Sequence, residues 1–430
     1  MRVLSFKIPG GEGEVSLPEG DFDANRVTIL LGENGTRKST LLRAILDDSI
    51  VDPEQKRRQR YPSAFSYKVG EPSQVIAISA IPNDRFPTKK RSGDSRVDGR
   101  YSAENYEYIG PRHNQNIVSR NQSLQALAAA ALQNSSPSIK VSSFIRKLSG
   151  KTGVPLHYHM EVQPVFSMLR GDLRTRDGVH RLSEIPAEEI GKVNFLVDTL
   201  GGRSSSTALS LSIDISGGVE CNDYELEAIQ VGYKYGLVNL RPPSKKGSSA
   251  DGAVEGFSAG QWGLFSTLAT LALRAKDNSL ILIDEPESAL HPRWQREYMG
   301  DLMEAMSECA GCHVFLATHS PLIVGTAGSG EFDLLILRKD NNGKLVSEIS
   351  DVPVGWQSND VLEEKFSLVS TRSPELVDQL EEILKLVASG LHGKKTKLRH
   401  KLEVLKPIVE GLPEEDSLRA LYLSLNRLVK

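Results

Sequence analysis

Short, almost continuous apolar runs recur along this chain at Val27–Leu31, Val75–Ser79, Leu280–Ile283 and Val314–Thr318. Runs of that length without polar alternation predict strands of a parallel sheet covered on both faces. Arg2–Ile8 and Leu334–Arg338 add two further strands. Elsewhere apolar residues fall three and four apart, which predicts helices at Ser39–Leu46, Gln122–Gln133, Val141–Leu148, Ala187–Leu200 and Trp262–Leu273. Three stretches alternate, His157–Val165, Ala208–Ile215 and Glu225–Val238, and are expected as strands. The chain closes on three helical patterns, at 374–389, 396–410 and 416–429.

Turn-rich segments divide these elements. Residues 88–106 are dense in Lys, Arg, Ser, Gly and Asp, and Pro242–Ser249 is a polar linker. The expected layout is an α/β core in two parts, 1–87 and 251–340, split by an α+β insertion at 88–250. A mainly helical tail at 341–430 follows. There is no internal repeat and no heptad run long enough for an extended coiled coil.

Composition adds exclusions. The 430 residues carry a net charge of −3 with 25% charged residues, so any nucleic-acid contact must come from a local patch. Lys56–Arg60, Lys89–Arg91 and Lys394–Lys401 are the candidates, each also readable as an ordinary solvated face. No apolar stretch approaches the roughly 20 residues of a spanning helix, so no membrane partner is expected. Three cysteines point to a reducing compartment and a cytoplasmic location. Cys309-Ala310-Gly311-Cys312-His313 matches a haem-attachment pattern, but its place before a buried strand argues against haem.

The sharpest chemistry lies at the strand ends. Gly32-Glu33-Asn34-Gly35-Thr36-Arg37-Lys38-Ser39-Thr40 links a strand to a helix, the arrangement of a phosphate-binding loop. Its backbone N–H groups and the helix amino terminus suit a triphosphate. Lys38 would reach the β- and γ-phosphates, and Ser39 would offer its hydroxyl to Mg²⁺. Arg37 stands where such loops usually have glycine; it adds a cation, at a cost expected in hydrolysis rate. Asp284 and Glu285 end an apolar strand, so both carboxylates reach the ligand edge of the sheet. Asp284 is the candidate Mg²⁺ ligand and Glu285 the candidate base for water. His319, just past Val314–Thr318, can orient water or sense the γ-phosphate. Ser258, Gly260 and Gln261 open a helix capped by Ser258, a second anion site that can act in cis or in trans.

Together these motifs resemble the ABC-type ATPase head, and the resemblance covers about residues 1–112 and 251–325. It implies a mixed or parallel sheet flanked by helices, ATP and Mg²⁺ as cofactors, and a homodimer sandwiching two ATPs against the Ser258–Gln261 tips. Glu285–Pro292, ending Leu-His-Pro, resembles ATPases of the overcoming-lysogenization-defect group. Ile78–Phe86 and Tyr108–Arg112 resemble the ATPase subunit of Septu and Septu-like retron anti-phage systems. That implies an ATPase and scaffold that regulates a separate HNH-type nuclease subunit. The chain departs from these relatives in two places. After Gly325 there is no Toprim constellation and no His-Asn-His motif, so any cutting comes from a partner. Where a glutamine-bearing loop should follow Val75–Ser79, Asn83-Asp84 stands instead. Other readings stay open: a DNA-maintenance ATPase of SMC or recombination type, another defence system with a different effector, a transporter ATPase, or a module that barely hydrolyses ATP.

Overall fold

The computed structural model describes residues 1–11, 13–50, 64–81, 84–88, 105–113, 117–118, 120–165, 185–200, 209–243, 254, 256–326, 331–340, 342–351, 356, 358–365, 372–390, 394–414 and 416–428. Among the motifs above, Lys56–Arg60, Lys89–Arg91, Asn83 and most of the Pro242–Ser249 linker lie outside them. The chain divides into two compact units, Met1–Ser358 and Asn359–Lys430.

The first unit is organised by a seven-stranded mixed sheet. Its strands are β3 (Arg26–Gly32), β5 (Val75–Ser79), β6 (Tyr106–Ile109), β13 (Leu280–Asp284), β14 (His313–Thr318), β15 (Glu331–Lys339) and β16 (Leu345–Ser350). They lie in the order β16-β15-β3-β14-β13-β5-β6, and all neighbours are parallel except the β15–β16 pair. Every residue of β3, β5, β13 and β14 is buried, as helices on both faces require. Parallel register brings Gly32, Ser79, Asp284 and Thr318 to one carboxyl edge. The phosphate loop and the acid pair therefore meet although they sit on strands separated by β14.

Around this core lie smaller sheets. β1 (Arg2–Phe6) pairs antiparallel with β2 (Val15–Ser16) and β4 (Phe65–Val69), and β7 (Arg112–His113) with β8 (Ile117–Val118). A four-stranded antiparallel sheet, β11-β10-β9-β12, is built from β9 (His157–Pro164), β10 (Leu209–Asp214), β11 (Gly218–Glu220) and β12 (Val238–Arg241). The helices Arg120–Gln133, Ile139–Thr152, Ile190–Leu200 and Asp223–Lys234 lie in the same stretch of chain, the one expected to be an α+β insertion. Ser138 caps one of these helices through the Val141 N–H, and Gly153, at φ 75°, ends it in the left-handed conformation.

One element differs from its sequence pattern. Glu225–Val238, expected as a strand, is helix Asp223–Lys234 followed by β12. Asn222 caps it by accepting from the Glu225 N–H, and Asp223, Glu225 and Lys234 complement its dipole. The buried residues, Ala228, Ile229, Val231 and Gly232, occupy one helical face, and the alternation around them was incidental. Two main-sheet strands also fall across the expected boundaries: β6 inside 88–250 and β16 inside 341–430.

The second unit contains helices Pro374–Ala388, Lys395–Glu410 and Ser417–Leu428. Leu376, Ile383, Leu398, Leu402, Leu405, Val409, Leu418 and Leu425 form its core at the predicted spacing. Within the basic run, Leu398 is buried in that core and Lys401 pairs with Glu382.

Candidate active site

The turn after β3 is held by its own residues. Thr36 Oγ1 donates to the Glu33 carbonyl at 2.7 Å, and Gly35 adopts φ 82°. Gly32 must be glycine for space, since a Cβ there would lie 2.4 Å from the Leu337 carbonyl oxygen. Arg37 takes φ 65°, the left-handed conformation that explains why glycine is usual at this position. Its side chain turns outward, and Nη1 donates to the Pro9 carbonyl at 2.9 Å. Asn34 is exposed and Thr40 is half-buried in the first turn of helix Lys38–Ile50.

Lys38 is 4% exposed and donates to the carbonyls of Gly32 (2.7 Å) and Glu33 (3.2 Å). Burial pulls its pKa down to about 8, against the raising influence of Glu285, Asp284 and Glu287. Ser39 Oγ donates to Asp284 Oδ1 at 3.0 Å, reaching across from β3 to β13. Asp284 is 1% exposed, and burial raises its pKa to about 7. Its Oδ2 has no partner among the described residues. A buried carboxylate oxygen without a donor, beside a serine hydroxyl, is a donor set suited to Mg²⁺.

Glu285 follows in the left-handed conformation (φ 49°), strain that aims its carboxylate at the turn rather than along the strand. Glu285 Oε1 lies 2.7 Å from His319 Nε2, and that hydrogen bond holds the carboxyl below its ordinary range. Lys38 Nζ is 3.2 Å from His319 Nδ1. Nζ also lies 3.1 Å from Nε2, so the ammonium faces both ring nitrogens, and with its proton on Nε2 the ring donates to Glu285. Lys38, Ser39, Asp284, Glu285 and His319 are thus one cluster.

Two acids that the sequence reading did not use bear on this cluster. Glu287 accepts from Thr318 Oγ1 (2.8 Å) and from the His319 N–H (2.5 Å), which fixes the end of β14. Its signal was legible as a third acid within Asp284-Glu285-Pro286-Glu287. Asp84, at the expected glutamine loop, is fully engaged: it accepts from Tyr108 Oη (2.7 Å), Phe86 N (2.8 Å) and Arg112. Those bonds tie the Asp84 loop to β6 and β7.

The helix Ala259–Arg274 begins with a full capping box. Ser258 Oγ accepts from Gln261 N (3.1 Å), and Gln261 Oε1 accepts from Ser258 N (2.8 Å). Gln261 Nε2 donates to the Thr152 carbonyl at 3.0 Å, so its amide is committed at both ends. A Cβ at Gly260 would sit 2.2 Å from the Ala289 carbonyl oxygen, so this tip packs tightly on the turn after Glu285. His291 and Pro292 of the Leu-His-Pro ending are the cap and first residue of helix Pro292–Ala305. A cavity of about 620 Å³ lies beside that turn, lined by Tyr108, Arg112, Trp262, Ser288 and Tyr298; Lys38, Ser39 and Asp284 do not line it.

The sheet order, the phosphate loop and the acid pair are the parts of an α/β P-loop nucleotide-binding fold. Residues 248–325 match the family described as "AAA domain, putative AbiEii toxin, Type IV TA system". The chain is similar to Septu protein PtuA of Bacillus thuringiensis, at 28% identity over 129 residues, 29% of this chain. The chain spans about a third (32%) of the length of that curated relative. Solved structures align loosely. A chain titled as a "metal-chelate type ABC transporter" in an inward-facing conformation gives a TM-score of 0.30 at 13% identity, covering 85% of this chain and 89% of that one. The cbiO1 subunit of an ABC transporter complex from Clostridium perfringens gives 0.29 at 12%, covering 89% of this chain and all (100%) of the other. No helix among the described residues is long and apolar enough to cross a membrane.

Proposed function

We propose that this chain binds and hydrolyses ATP as the regulatory subunit of a Septu-like anti-phage assembly, whose cutting is done by a separate HNH-type nuclease. The observation that carries the ATPase part is the single cluster of Lys38, Ser39, Asp284, Glu285 and His319 at one sheet edge. The likeness to Septu protein PtuA supports the biological setting.

In this reading the Gly32–Ser39 turn wraps the phosphates with its N–H groups, and Lys38 leaves the Gly32 and Glu33 carbonyls for the β- and γ-phosphate oxygens. Phosphate charge returns Lys38 to its fully protonated form. Ser39 Oγ and Asp284 Oδ2 would hold Mg²⁺, which would supply neutralisation of phosphate charge. Glu285 takes a proton from water as the water oxygen attacks the γ-phosphorus, and the bond to the ADP oxygen breaks. His319 keeps the Glu285 carboxylate ionised and oriented through its Nε2–H. Ser258 and Gly260 of a second copy face the γ-phosphate, closing a dimer around two ATPs; the committed Gln261 amide stiffens that tip.

The test uses the purified chain with Mg-ATP, followed by phosphate release and light scattering. The wild type turns over ATP; Glu285→Gln loses at least a hundredfold in rate, retains ATP and accumulates as a dimer. A chain that stays monomeric at saturating ATP would sink the sandwich. Undiminished turnover in Glu285→Gln would remove that residue as base. Co-expression with an HNH protein encoded alongside should give a stable complex, and its absence removes the Septu assignment.

A further inference from the structure

Arg37 is the one residue with a side chain in the phosphate turn that holds left-handed backbone, and the hydrolysis scheme gives its guanidinium no task. Three observations describe it. It holds φ 65°, where a side chain is strained and glycine is not. Its guanidinium fills the space over Gly10: a Cβ there would lie 1.8 Å from Nη1 and 2.8 Å from Cζ. Nη1 is tethered to the Pro9 carbonyl at 2.9 Å, on the connection between β1 and β2. Gly10 itself sits at φ 73°, so both partners of the contact occupy glycine-favouring backbone.

Such an anchor separates the group from Lys38, whose phosphate-binding ammonium is buried. Terminal phosphates at Lys38, Ser39 and Asp284 leave the rest of a nucleotide to exit on the solvent side, because β3, β13 and β14 close the other. Arg37 and Gly10 are exposed, and Arg37 directly precedes Lys38 at the start of its helix. A guanidinium is planar, weakly hydrated and stacks well on aromatic rings, and backbone tethering removes much of its entropy cost. We propose that the Arg37 guanidinium, seated on Gly10 and Pro9, is the platform on which the base of the bound nucleotide stacks. This rests on the reading of the cluster as an ATP site and names what holds the other end of the nucleotide. Stacking reads area rather than edge pattern, so purine triphosphates are preferred over pyrimidine ones with little distinction between adenine and guanine.

The experiment compares equilibrium binding of Mg²⁺ complexes of ATP, GTP, CTP and inorganic tripolyphosphate to the full chain. In the wild type, ATP and GTP bind about tenfold more tightly than tripolyphosphate, with CTP between. Arg37→Lys keeps the charge and loses the plane; Arg37→Gly fits the left-handed turn without strain; Gly10→Val displaces the guanidinium. Each brings ATP within about twofold of tripolyphosphate, whose own affinity changes little in Arg37→Lys. An equal loss for ATP and tripolyphosphate in Arg37→Lys makes Arg37 a phosphate ligand and overturns the platform. A wild type that binds all four alike overturns it too, with the ATP site left standing. A wild type that binds none of them overturns the ATP site first.

Discussion

At the amino-terminal ends of β3, β14 and β15, buried polar groups are matched one to another. Arg26 grips Asp333 with two bonds, Nε to Oδ2 at 2.6 Å and Nη2 to Oδ1 at 2.7 Å. Thr28 Oγ1 donates to Asp333 Oδ2 at 3.2 Å and lies 3.0 Å from His313 Nε2. His313 Nδ1 accepts from the Val3 N–H at 3.2 Å, which commits both ring nitrogens and leaves none for a haem iron. At the carboxyl ends of the same sheet, Asp284 Oδ2 and Glu287 Oε2 lack partners among the described residues. Arg37, Glu285 and Ala289 hold left-handed backbone there. One end spends its polar groups on the fold; the other leaves two buried carboxylate oxygens without a partner among the described residues, which suits a site that takes charged ligands.

Breaking each end should separate stability from chemistry. The largest effect is expected from Asp333→Ala, which leaves Arg26 buried and unpaired. It should cost about 3–5 kcal/mol in denaturant unfolding, with ATP turnover per folded molecule preserved. Loss of turnover at equal fold content would erase the contrast. At the other end, Glu287→Ala frees Thr318 and the His319 N–H. Turnover should fall at least tenfold through displaced His319, while stability drops by only about 1–3 kcal/mol.

Acid should act on the two ends with opposite sign. Burial raises the pKa of Asp284 to about 7, above its ordinary value of 3.8. The native state therefore keeps this proton where the unfolded chain has lost it, and the stability so gained is full below about 4 and fades as pH rises to about 7. Asp284→Asn should then be more stable than the wild type at pH 8, on the order of 2 kcal/mol, with the difference closing toward pH 4. His313 is pushed well below its usual range, by burial first and then by Arg2 and Arg26. Its contribution is present above its unfolded value of 6.5 and is lost as pH falls. A His313→Gln variant should show a flatter acid limb in thermal melts than the wild type; an unchanged limb would place acid sensitivity elsewhere. The smallest effect concerns Lys38: ATP affinity should weaken several-fold as pH rises through about 8, and a flat profile to pH 9.5 would exclude it as the phosphate cation.

The motifs were legible because each is local. Val27–Leu31 with Gly32–Ser39, Leu280–Ile283 with Asp284-Glu285, and Val314–Thr318 with His319 each join an apolar strand to its own chemistry within a dozen residues. The helix Asp223–Lys234 escaped because its apolar residues satisfy two periods at once, and only its packed face decides between them. Strands β6 and β16 escaped because they are short edge strands, recruited by a neighbour rather than by their own pattern.

The amino-acid sequence by itself determined the local motifs: a phosphate-type loop, an acid pair at a strand end and a histidine at the next, each identifiable from a few contiguous residues. Tertiary structure alone decided what those residues do to one another. Ser39 meets Asp284, and Glu285 meets His319, only because parallel register aligns the ends of strands that are separate in the chain. It also decided that Asp84 ties its loop to Tyr108 and Arg112, that Asp333 neutralises Arg26, and that Arg37 leans on Gly10. Such pairings depend on through-space distance and burial, quantities that no spacing along a chain encodes.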